Sequence, residues 1–127
     1  MELARCRALG YAIGMSTETS DRMWAAGCHL ASFLGFLPFG HLLGPAAVWL
    51  FKRRKIKLVD EQGKQSLNFQ LSMTLYMLAV AILTTLGLPS IFLHLLGTAA
   101  LVAIMLAVVK TMRGEHFRYP GAIRFIR

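Results

Sequence analysis

Three of the four histidines in this chain of 127 residues, His29, His41 and His94, sit within apolar stretches or the turns between them. A neutral imidazole there could ligate a metal or relay a proton, and either task needs further ligands or a carboxylate at a workable spacing. No HExxH or His/carboxylate pattern occurs, and the charge-free runs around these histidines supply no acidic ligand. The two cysteines, Cys6 and Cys28, form no CxxC motif, and Cys28 reads as a small packing residue. No nucleophile stands at a recognisable spacing from a base. A non-enzymatic protein without metal or cofactor is therefore the expectation.

The remaining polar residues are arranged for binding. Gln65, Asn68 and Ser72 fall at i, i+3 and i+7 on one helix face, with Gln70 on another. This stripe should look inward, as hydrogen-bonded glue between helices or as a partner face, with the lining of a polar pathway as the alternative. Small residues mark other faces: Ala99, Ala103 and Ala107 at four-residue spacing, and Ala25, Cys28, Ser32 and Gly35 upstream. Both strips suit close packing within one bundle, or a homo-oligomer seam. Asp60 and Glu61, beside a basic cluster, read as a solvated loop with local ion pairs.

The elements that must position these residues are apolar helices. Met23 to Phe51, Phe69 to Leu88 and Ser90 to Val109 carry no charge, 56% of the chain is hydrophobic, and mean hydropathy is +0.55. A helix of roughly twenty residues matches a hydrocarbon core of about 30 Å, so the second and third runs are long enough to span a bilayer. The runs are continuous and do not alternate with period two, which argues against a transmembrane barrel. An all-α, small polytopic transmembrane bundle follows, with residues 1–19 as a poorly ordered amino-terminal extension, 20–113 as the bundle and 114–127 as a basic, aromatic interfacial tail. Met15 is an alternative start.

A net charge of +8 would point to nucleic acid in a soluble protein. Here the basic residues flank the apolar runs, from Lys52 to Lys64 and from Lys110 to Arg127, which is the positive-inside pattern. The expected partners are therefore a bilayer with anionic lipid at the basic face, and a second copy or other membrane proteins, with no nucleic acid. The same pattern predicts a multi-pass membrane protein with a cytoplasmic C-terminus.

Gly87-Leu88-Pro89-Ser90 joins the second and third runs as a hairpin. The first run has two readings, because Pro38, Gly40, Gly44 and Pro45 interrupt it near its middle. As one kinked helix it crosses once and gives three spans. As a hairpin it runs from about Ser20 to Leu37, turns at Pro38-Phe39-Gly40-His41 and returns through Trp49, giving four helices in two hairpins. Proline cost in lipid and the gathering of all basic residues on one side favour the hairpin.

Three blocks carry a family resemblance. Trp24 and His29-Leu30 lead to Pro38-Phe39-Gly40 and Gly44-Pro45-Ala46-Ala47-Val48-Trp49. The second block is LVDEQGKQSLNFQ, Leu58 to Gln70, holding Asp60, Gly63, Asn68, Phe69 and Gln70. The third is GEHFRYPGAIRFI, Gly114 to Ile126, holding Tyr119 and Pro120. In order and spacing, from Asp21 to the end, these resemble a family of small bacterial membrane proteins of unknown function, related to the twenty-kilodalton subunit of the chloroplast inner-envelope protein-import translocon. Gln62 departs from the pattern, where the family leads one to expect His. The resemblance implies a multi-helix bundle in a bacterial cytoplasmic (inner) membrane and, for the chloroplast relatives, participation in a protein-conducting complex. With the small-residue ridges, the polar stripe and the basic tail, a translocon-like component of, or accessory to, a membrane protein assembly is the expectation. A small channel or transporter subunit is the alternative, and the charge-free interior argues against a dedicated ion path.

Overall fold

The computed structural model describes residues 1–36 and 39–127, among which there are four α-helices and no strand. Helix α1 (Glu2–Leu30) leads into a 3₁₀ segment, Ala31–Phe36, and α2 (Gly40–Lys52) runs back against both. Helices α3 (Lys57–Thr85) and α4 (Ile91–Met112) form a second hairpin, and a tail without regular structure follows. This is the all-α fold in two hairpins, with the first apolar run broken into a pair. The proposed turn residue Pro38 lies outside the described residues; Phe39, just after it, has a left-handed backbone (φ 61°).

Helix α1 begins well before Ser20. Residues 2–19, set apart in the sequence as an extension, are its first turns, and every side chain from Met1 to Ser20 is exposed. No proline or β-branched run interrupts them, and Ala4, Ala8 and Ala12 favour a helix. Only the last turns of α1 reach the bundle, where Ala25 and Cys28 pack on Val59 of α3. Helix α3 likewise starts earlier than the apolar run it contains, so Asp60 and Glu61 lie on a helix and not in a loop.

The two hairpins differ in reach. Helices α3 and α4 are long and apolar enough to cross a membrane. Helix α2 has 13 residues, about 20 Å at helical rise, against a hydrocarbon core of about 30 Å. In its first turn His41 Nε2 meets Thr74 Oγ1 at 3.0 Å. Thr74 lies about eleven residues, roughly 16 Å, before the end of α3. Among the described residues, the start of α2 therefore meets α3 partway along its length. Gly44 and Pro45 make its close approach possible: both are buried, and a Cβ on Gly44 would land on the Ala31 carbonyl.

Burial is partly inverted relative to a protein packed in water, with polar side chains sharing the interior with Val59, Leu67 and Phe69. The interior holds His29, Gln62, Ser66, Asn68, Ser72 and Thr111, each exposed by 2% or less, whereas Leu78, Leu95 and Leu101 on the long helices are about half exposed. Only 17% of the most apolar window of α4 is buried within the molecule. Large apolar side chains left outside a polar interior are matched to a surrounding of lipid.

Candidate functional site

The polar interior lies where the end of α1, the first half of α3, the end of α4 and the tail meet. Its centre is His29, which is fully buried. A neutral imidazole has one donor and one acceptor nitrogen. Gln62 Oε1 can only accept, so His29 Nε2 donates to it (3.2 Å) and Nδ1 accepts from the Tyr119 hydroxyl (2.9 Å). Thr111 Oγ1 also donates to Gln62 Oε1, at 3.4 Å. One turn along, Ser66 Oγ donates to the Cys28 carbonyl (3.0 Å) and lies 3.4 Å from Ser32 Oγ. Among the described residues no fully buried side-chain polar atom lacks a partner.

Tyr119 joins this network to an aromatic one. Its ring stacks on Phe69 at 3.9 Å between centroids and meets Phe117 edge-on at 4.9 Å. Ile104 and Ala107 of α4 complete the cluster. Burial of the phenol pushes its pKa above the ordinary tyrosine value, so the hydroxyl stays a neutral donor.

The tail beyond Tyr119 is held by its backbone. Asn68 Oδ1 accepts from the amides of Phe125 (3.0 Å) and Ile126 (2.8 Å), and its Nδ2 donates to the Ile126 carbonyl (2.9 Å). Ser72 Oγ accepts from the Ile123 amide (2.8 Å), and the Tyr76 hydroxyl donates to the Gly121 carbonyl (2.8 Å). Gly121, at φ 74°, supplies the left-handed turn that lays the chain along α3. The tail is thus docked on the bundle, with Tyr119 buried and Ile123 and Phe125 exposed.

Of the sequence stripe, Asn68 and Ser72 face the tail and Gln65 is half-buried beside it. Gln70 is buried on another face. The alanine ridge is graded: Ala99 is exposed, Ala103 half-buried and Ala107 buried. Upstream, Ala25, Cys28 and Ser32 are buried and Gly35 is exposed. Trp49 Nε1 donates to Asp60 Oδ1 (2.9 Å), whose other oxygen accepts from Lys64 (2.7 Å). Gly63 lies against the Trp49 ring, where a Cβ would come within 2.5 Å of Cδ1. Lys52 stands over Trp24 and Arg53 over Trp49, so both indoles lie at the basic end, as the hairpin reading requires. Gly114 turns the chain out of α4 beside Arg22, and Pro120 is exposed.

Thr111 and Ser66 were not singled out in the sequence. Thr111 carries the alanine ridge on by one more four-residue step, a pattern that could have found it. Ser66 is distinguished only by the Cys28 carbonyl above it. Among the described residues no three His, Cys, Asp or Glu side chains group to hold a metal ion. Both nitrogens of His29 are engaged, so the arrangement holds elements together and presents no free base.

These features define a small helical protein of membrane type, with two candidate spans and a polar interior closed by its own tail. The model of the magnetosome magnetite crystal formation protein family (MamF/MmsF) matches residues 20–126, and the chain belongs to that family. The kinship with the chloroplast import translocon expected from the three blocks finds no support in that match. No curated protein and no solved structure matches the chain.

Proposed function

We propose that this chain is a non-enzymatic accessory component of a membrane assembly, and that the membrane is the one in which its family's magnetite crystals form. The observation that carries the reading is the partly inverted burial. An apolar exterior surrounds an interior whose polar side chains are spent on holding helices and tail. Family membership supplies the setting. In this reading α3 and α4 cross the bilayer, the first hairpin enters partway, and the basic end with both termini faces the cytoplasm. The upper end of the α4 ridge, where Ala99 is exposed, offers a face for a second copy or another membrane protein. A channel or transporter loses its best support, because Asn68 and Ser72 are engaged by the tail.

The test is fractionation of a magnetite-forming bacterium that expresses the tagged full chain. The expected result is recovery with the crystal-enclosing membrane after an alkaline carbonate wash, with a protein crosslinked to it. Recovery in the soluble fraction, or a monodisperse monomer without crosslinks in native membranes, refutes the reading.

A further inference from the structure

Where the tail lies along α3 it leaves a cleft of about 520 Å³, lined by Lys64, Gln65, Arg118, Arg124 and Arg127 with the carboxylate Glu61. Glu61 is occupied by His116 (2.8 Å), and Lys64 by Asp60 (2.7 Å). The three arginines take part in no ion pair among the described residues. Three arginines bordering one opening without a carboxylate partner favour an anion there.

The tail's conformation produces this grouping. Asn68 fixes the backbone at Phe125 and Ile126. Arg124 and Ile126 line the cleft, whereas Ile123 and Phe125 are exposed and take no part in the lining. The tail is bent here, with the Phe125 amide donating to the Ile123 carbonyl (3.1 Å), and Arg124 and Arg127 both border the cleft. The cleft also adjoins the level at which α3 changes from polar to apolar, after Gln70.

We propose that this cleft binds a phosphate-bearing anion, with the guanidiniums of Arg118, Arg124 and Arg127 on its oxygens. Two sources share that chemistry, the phosphodiester headgroup of an anionic lipid and free phosphate. Guanidinium forks match phosphate oxygens in pairs, and Gln65 adds a neutral donor. The exposed Ile123 and Phe125 lie where acyl chains would leave a bound headgroup. The proposal rests on the membrane reading for the reach of a lipid to the cleft, and on charge alone for the site itself.

The full chain in mild detergent is mixed with equal amounts of phosphatidylglycerol and phosphatidylcholine of the same acyl length, and bound lipid is read by native mass spectrometry. We expect phosphatidylglycerol to be retained over phosphatidylcholine by at least about fivefold, roughly what one cationic contact near an anionic surface provides. Arg118→Gln/Arg124→Gln/Arg127→Gln should abolish that preference with helix content unchanged by circular dichroism. Arg5→Gln/Arg7→Gln/Arg54→Gln, which removes the same charge elsewhere, should keep it. No preference in the unaltered chain together with no binding of millimolar inorganic phosphate, or equal loss in both variants, overturns the proposal.

Inorganic phosphate separates the sources. Displacement of the lipid by millimolar phosphate assigns the cleft to the free anion, and persistence assigns it to the headgroup; either supports a phosphate site. Membrane retention after carbonate is scored separately. A chain that washes off the membrane yet binds phosphate refutes the membrane reading and leaves the site standing.

Discussion

Replacing Asn68 by Leu should release the end of the tail without unfolding the bundle. Asn68 is 2% exposed and makes three hydrogen bonds to the backbone of Phe125 and Ile126. A net hydrogen bond contributes about 0.5–1.5 kcal/mol in water and averages about 0.6 between membrane helices. The tail is part-exposed, so its freed amides can bond to water. The low end of the range therefore applies, and three bonds sum to about 1.5–2 kcal/mol. That corresponds to an increase of about 12- to 30-fold in the opening equilibrium of the segment. Tyr119 and its stack on Phe69 are independent of Asn68 and should stay closed. Hydrogen exchange of the full chain in nanodiscs reads this directly: the amides of Phe125 and Ile126 lose protection by that factor, and those of α3 and α4 keep theirs. Asn68→Asp retains the acceptor for two amides but turns the third contact into a repulsion with the Ile126 carbonyl. It should fall between Leu and the native residue. Unchanged exchange at Phe125 and Ile126 in the Leu variant would show that Asn68 does not hold the tail. Loss of protection throughout α3 would show that the tail is no separable unit.

Three further outcomes follow from the same geometry. Tyr119→Phe keeps the ring stack but strips His29 Nδ1 of its donor, which should lower stability by about 1–3 kcal/mol in a denaturant titration in micelles; no change would refute the assigned role of the hydroxyl. Gly63→Ala drives a methyl into Trp49 and should cost about 1–3 kcal/mol, whereas Gly27→Ala, with open space around it, should be neutral or gain up to about 1 kcal/mol in helix propensity; equal effects would sink the packing argument. Cys6 is exposed and Cys28 buried, so an impermeant maleimide should label Cys6 in inverted vesicles, not in intact cells, and Cys28 in neither; labelling of Cys6 from outside would overturn the proposed orientation.

The long helices were legible because lipid imposes a simple rule. A charge-free run of about twenty residues bounded by basic residues has few other places to go. The broken first run was legible from Pro38 and Pro45 together with the charge balance. The amino-terminal turns of α1 were not, because Arg5 and Arg7 interrupt their apolar pattern and Gly10 lowers helix propensity, while the surrounding alanines and arginines still favour a helix. The polar stripe was legible as a face, but what Asn68 and Ser72 bind was not. Their partners are amides and carbonyls of the tail, which leave no mark in side-chain spacing. His29 and Tyr119 are 90 residues apart in the chain. Each lay in a different sequence block, and only the folding back of the tail shows that the blocks describe one place.

The reason for that convergence lies in what can specify a structure inside a bilayer. Apolar contacts do not choose between neighbours when the lipid is equally apolar, so helix pairing must be decided by close approach and polar contacts. Both devices occur here at the same end. Gly44 and Gly63 let α2 come against the Ala31 carbonyl and bring α3 against Trp49. His29, Gln62, Thr111 and Tyr119 then tie α1, α3, α4 and the tail through one chain of hydrogen bonds. Beyond Thr74, α3 and α4 carry mostly apolar faces and the graded alanine ridge. Specificity within the chain is concentrated at its basic end. The other half of the long helices is free to be read by lipid or by another protein, and a partner that docks there need not disturb the network that holds the fold.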